Sequence, residues 1–130
     1  MKSRLFFLTP CLVLLGAAPA WAHHSLNAEY DTTKPVSLNG TLTSVDWRNP
    51  HAWIYLDVKT ANGTVEKWQC ELGSPNAMQR AGFGRKSASP GDEIVLDGIL
   101  AKDGSKTCST RVVKNKDGQV LYSQNERQAK

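Results

Sequence analysis

The stretch that most constrains this chain is residues 52–72, AWIYLDVKTANGTVEKWQCEL. Ile54, Leu56 and Val58 alternate with Trp53, Tyr55 and Asp57. Beyond the turn signal at Ala61–Gly63, Trp68, Cys70 and Leu72 alternate with Lys67, Gln69 and Glu71. An apolar period of two on both sides of an Asn-Gly turn specifies a β-hairpin that buries one face and leaves the other polar and aromatic. A one-residue slip would turn the apolar set to solvent, so the register is strongly held.

The rest of the chain follows the same pattern. VSLNGTLTSVDW alternates Val36, Leu38 and Leu42, bends at Gly40, and slips to Val45 and Trp47. EIVLDGILA alternates Ile94, Leu96, Gly98 and Leu100. TCSTRVV puts Cys108, Thr110 and Val112 in phase, and NKDGQ turns the chain into a short extension, Val120–Tyr122. One segment differs: SPNAMQRAG offers Ser74 as N-cap, Pro75 at the first helical position and Gly82 just past the end, and predicts a short helix. Three strands, a helix and two further strands are the plan of an OB-fold, a small all-β, five-stranded Greek-key barrel. Gly40 and Gly98 would let long strands bend around it. A small open β-sandwich is the alternative architecture. In the barrel, the third and fifth strands are neighbours, which places Cys70 beside Cys108 on the inward face.

The chain opens with Lys2 and Arg4, continues with the apolar runs Leu5–Leu8 and Cys11–Ala18, and reaches the small-residue stretch GAAPAWA. That is the layout of a secretory signal peptide, and the run is short for a membrane span. Ala20 and Ala22 suit the −3 and −1 positions of a cut before His23. The expected organisation is a signal peptide over 1–22, a polar N-terminal arm over 23–35, the β-barrel over 36–123 and a polar tail over 124–130. The mature protein is expected in the periplasm or secreted, with no membrane anchor after cleavage. Losing Lys2 and Arg4 takes the formal net charge from +4 to +2, and no basic run suggests a nucleic-acid partner. Two cysteines, Cys70 and Cys108, survive the cut. An even count in an exported chain favours a disulfide; two buried thiols are the alternative.

Two of the three histidines, His23 and His24, lie at the cleavage site. An N-terminal histidine offers an α-amine and an imidazole to one metal ion, a set suited to Cu(II) and its tetragonal nitrogen sites. A start at Ala22 or Trp21 would still leave a histidine third, which also binds copper. His51, in RNPHAWI, lies in the loop before the second strand, at an end where such barrels bind ligands. His51 could complete a site with His23 or His24. Glu71, Asp46 and Glu29 are candidate oxygen ligands. Trp53 and Tyr55 point away from the predicted core. Either the arm or the last hairpin covers them, or they form a stacking platform for a ligand. Phosphate loops, CxxC pairs and a catalytic Ser/His/Asp order are missing from the sequence.

AHHS at the cut, EYD soon after, NPHAWIYLDV, ELGSPNAMQRAGF and SPGDEI together resemble a family of small secreted bacterial proteins, the domain of unknown function 6152, over nearly the whole mature chain. The resemblance implies export and a compact β domain, and it supplies no activity. It marks His23, His24, Ser25, Asn49, Pro50, His51, Glu71, Gly73, Ser74 and Pro75. Paired cysteines are not among those marks. The expected function is an exported binding protein that carries or buffers copper, with a metal ion, a small ligand or a periplasmic protein as partner. A metal-free ligand or protein-interaction module is the alternative, and an oxidative copper enzyme a weaker one, because no substrate groove is outlined.

Overall fold

The structure, a computed structural model, describes residues 26–124. The leader, His23, His24 and the residues after 124 lie outside the described residues. Among those described, no helix is long and apolar enough to cross a membrane.

The elements in chain order are α1 (Leu26–Glu29), β1 (Tyr30–Asp46), β2 (Trp53–Lys59), β3 (Val65–Glu71), α2 (Pro75–Arg80), β4 (Glu93–Ala101), β5 (Thr107–Asn115) and β6 (Val120–Ser123). The fold is all-β, a six-stranded sheet with a short helix between the third and fourth strands, in the order β3-β2-β1-β4-β5-β6. All these neighbours are antiparallel. One further pairing is parallel: Gln69, Cys70 and Glu71 of β3 lie opposite Thr107, Cys108 and Ser109 of β5. The pairings therefore run in a circuit from β1 through β2, β3, β5 and β4 back to β1. The expected neighbourhood of the third and fifth strands is present, and Cys70 and Cys108 form a disulfide with Cα atoms 4.6 Å apart.

The inner face follows the alternation. Leu38, Leu42, Ile54, Leu56, Trp68, Cys70, Leu72, Ile94, Leu96 and Cys108 are buried in one cluster. Each fully buried Leu or Ile contributes roughly 1.5–3 kcal/mol. Helix α2 covers one end of this cluster with Met78, and the chain beyond it adds Phe83. The helix begins where Ser74 Oγ accepts from the Ala77 N–H at 3.3 Å, and it ends before Gly82, whose φ of +86° suits glycine.

Three expectations need correction. The final extension is a sixth strand: Val113 faces Tyr122, whose ring is buried and whose hydroxyl accepts from the Gly73 N–H at 3.2 Å. On β5, Val113 rather than Val112 is buried, because the register shifts by one residue between the Asp97–Val112 and Gly98–Thr110 pairs. Such a bulge cannot be seen in an alternation read from one strand alone. Nor do residues 30–35 belong to an arm apart from the sheet, since they open β1. Tyr30 already pairs with Ala101, and Glu29 O accepts from the Lys102 N–H at 2.9 Å. A register irregularity between Tyr30 and Pro35, and exposed Thr32–Lys34, hide the strand from its periodicity.

Gly40 and Gly98 lie where the backbones of adjacent strands come closest. A Cβ added at Gly98 would stand 2.4 Å from Ser109 O, and one at Gly40 2.8 Å from Asp57 O. The Gly98→Ala variant is expected to lose about 1–3 kcal/mol, because backbone rather than a side chain must yield; urea denaturation measures it, and a change below 0.5 kcal/mol, about the level of a neutral surface substitution, would contradict the close approach. Replacing both Cys70 and Cys108 by Ala is expected to cost about 2–4 kcal/mol, in line with a bridge spanning 38 residues, read as a lowered denaturation midpoint with a steeper slope, because the unfolded chain without the cross-link exposes more surface.

Candidate functional site

The face of β2, β3 and β5 turned away from the core carries the polar and aromatic residues that alternate with the buried set. Register places them in two rows. Trp53 faces Glu71, which faces Ser109; one step along the strands, Tyr55 faces Gln69, which faces Thr107. The rows are about 7 Å apart along each strand.

Glu71 is the centre of the first row. Its Oε1 hydrogen bonds with Nδ1 of His51, which reaches it from the β1–β2 loop. Its Oε2 accepts from the Tyr30 hydroxyl at 2.6 Å. A single carboxylate thus joins the loop histidine to the first residue of β1. Glu71 is largely enclosed, its side chain 14% exposed, whereas the His51 side chain is 52% exposed. Nε2 of His51 has no hydrogen-bond partner among the described residues. Burial, and next the hydrogen bond to Glu71, push the Tyr30 phenol well above its ordinary pKa, so the hydroxyl keeps its proton and remains a donor. A neutral donor on one oxygen leaves the carboxylate's charge to the imidazole on the other.

Of the expected ligands, the structure brings His51 and Glu71 together. His23 and His24 lie outside the described residues. Asp46 pairs instead with Arg48 at 3.2 Å, and Glu29 ends α1 just before Tyr30, where its charge helps to raise the phenol's pKa. Among the described residues, no group of three or more His, Cys, Asp and Glu side chains could hold a metal ion. Tyr30 is the participant the sequence reading missed. Its signal was a lone aromatic in an otherwise polar segment.

Trp53 and Tyr55 share the outer face as expected, and both are half-buried. They serve different neighbourhoods: Trp53 lies across from Glu71, whereas Tyr55 lines a groove of about 210 Å³ with Lys67, Trp68, Gln69, Ser105, Lys106 and Thr107.

The fold and this site define a small β protein with a carboxylate-held histidine on its sheet face. Residues 12–110 match the family of unknown function DUF6152, and the chain belongs to that family. No curated protein and no solved structure matches it.

The Tyr30→Phe variant is expected to lose about 1.5–3 kcal/mol, the range for a hydrogen bond to a charged partner. In a cycle with Glu71→Gln, denaturation should show a coupling of about 1 kcal/mol; strictly additive losses would mean that the two side chains do not meet in solution.

Proposed function

We propose that the protein is an exported copper-binding protein whose site joins His51 to the N-terminal His23. The observation that carries this reading is the Tyr30–Glu71–His51 chain of hydrogen bonds. Histidines that ligate metals commonly give their other ring nitrogen to a carboxylate, which fixes the ring's orientation. Glu71 does this at Nδ1 and leaves Nε2 to the metal, so Glu71 is better cast as the residue that orients His51 than as a ligand. Tyr30 brings the start of β1 to the same carboxylate. Only three positions separate His23 from Leu26, a reach of about 10 Å. The α-amine and imidazole of His23 with Nε2 of His51 would make a three-nitrogen set suited to Cu(II), with His24 as a further donor. Carriage or buffering suits the site better than turnover.

The leader at 1–22 supports export to the periplasm, and the disulfide supports an oxidising compartment. The strand circuit, with α2 between β3 and β4, supports the reading of the domain as an OB-type barrel, to which β6 is an addition.

The test is a Cu(II) titration followed by EPR on exported protein whose N-terminus at His23 is verified by mass. One equivalent should give a tetragonal nitrogen signal. His51→Ala should change that signal and weaken binding at least tenfold, and a Gly-Ser-Gly-Ser extension before His23, which moves the α-amine away without leaving a histidine third, should weaken it similarly. An unchanged signal in His51→Ala would separate the N-terminus from the barrel and overturn the joint site.

A further inference from the structure

The second row of the outer face has no part in the metal reading. Tyr55, Gln69 and Thr107 lie side by side on β2, β3 and β5, and Gln69 Nε2 donates to Thr107 Oγ1 at 3.1 Å. They belong to the 210 Å³ groove, whose rim includes Lys67 on β3 and Ser105 and Lys106 on the β4–β5 loop. The volume is below the roughly 300 Å³ at which drug-sized pockets begin, and suits a single ring.

We propose that this groove binds neutral carbohydrate, seating one pyranose ring against Tyr55 with its hydroxyls toward Gln69, Thr107 and Ser105. The charges decide against an anion. Lys67 Nζ pairs with Asp57 at 3.0 Å, and Lys106 Nζ pairs with Glu66 at 2.9 Å while lying 5.4 Å from the centre of the Trp68 ring. Both ammonium charges are already matched, so they offer hydrogen bonds without a net field. The distribution of aromatic surface decides against a flat aromatic ligand. Tyr55 supplies aromatic surface at one side of the row, and the amide and hydroxyls occupy the other; Trp68, the second aromatic of the lining, is 8% exposed with the Lys106 ammonium over its ring, so it offers no free face to sandwich a π-system. A pyranose has the matching division, with a C–H face for the aromatic ring and an equatorial rim of hydroxyls for polar partners. The groove is open, so neighbouring sugars of a chain would extend beyond it.

The inference does not rest on the copper reading, and the test uses metal-free protein. Cellotriose and chitotriose are titrated into ¹⁵N-labelled full-length mature protein and followed by NMR. Saturable shifts are expected in the Gln69 side-chain amide and the backbone amides of Ser105, Lys106 and Thr107, with a dissociation constant on the order of 1 mM for one of the two sugars. Tyr55→Ala should weaken binding at least tenfold. Gln69→Met, which keeps the strand and the side-chain length, should weaken it at least threefold, with signal dispersion verifying the fold of each variant. No shift of these signals by either sugar at 10 mM, about ten times the constant expected for a single ring, would overturn the proposal. So would affinity unaffected in a folded variant, or stronger shifts from benzoate than from either sugar.

Discussion

The parallel contact between β3 and β5 is the constraint on which the rest of the molecule depends. Only three residue pairs make it, Gln69–Thr107, Cys70–Cys108 and Glu71–Ser109. Short parallel pairings between strands distant in sequence gain little per residue and cost loop-closure entropy. The disulfide acts at the middle pair, where it removes that entropy from the unfolded chain. Inside, the bridge is wholly buried with the core. Outside, the flanking pairs are the third members of the Trp53–Glu71 and Tyr55–Gln69 rows. Covalent closure and construction of the outer face are thus the same event: without the β3–β5 contact, Gln69 would lose Thr107 and the groove would lose one wall.

The outer face is organised by what covers it. At the Glu71 row the chain supplies its own cover. Tyr30 is buried at 3% exposure and Ile99 at 6%, both apart from the main core cluster. The segment before β1 is fixed there by the main-chain bond from Lys102 to Glu29 and by Lys102 Nζ donating to Asn27 O at 2.6 Å. At the Tyr55 row no such cover exists among the described residues, and the face opens into the groove. The difference is physical. A carboxylate in a half-enclosed site needs partners on both oxygens, and Tyr30 and His51 supply them. The amide and hydroxyl of the next row satisfy each other and tolerate water.

Much of this was legible in residues 52–72 and 74–82, where strict alternation, an Asn-Gly turn and a complete set of helix caps act locally and agree. The same alternation put Trp53, Tyr55, Gln69 and Glu71 on one outer face. Pairing Cys70 with Cys108 needed only the strand order. Two things stayed hidden. The bulges beside Gly98 and between Tyr30 and Pro35 change register through the partner strand, so no single-strand period reports them. The link from Tyr30 to Glu71 spans 41 positions. Tyrosine in a polar segment does not reveal which carboxylate its hydroxyl will meet.

Glu71 shows why residue type alone could not assign the site's roles. As a sequence letter it is an oxygen donor, as suited to a metal as to a histidine. In the fold, both of its oxygens are already engaged, one by a phenol that burial keeps protonated and the other by the imidazole. A direct metal ligand would have to give up one of those bonds in a site only 14% exposed, where the released partner would have little water to turn to. His51, half in solvent with one nitrogen that has no partner among the described residues, carries no such cost. The division of labour follows from burial: the enclosed carboxylate holds its histidine in place, and the exposed imidazole is left to meet whatever arrives from outside.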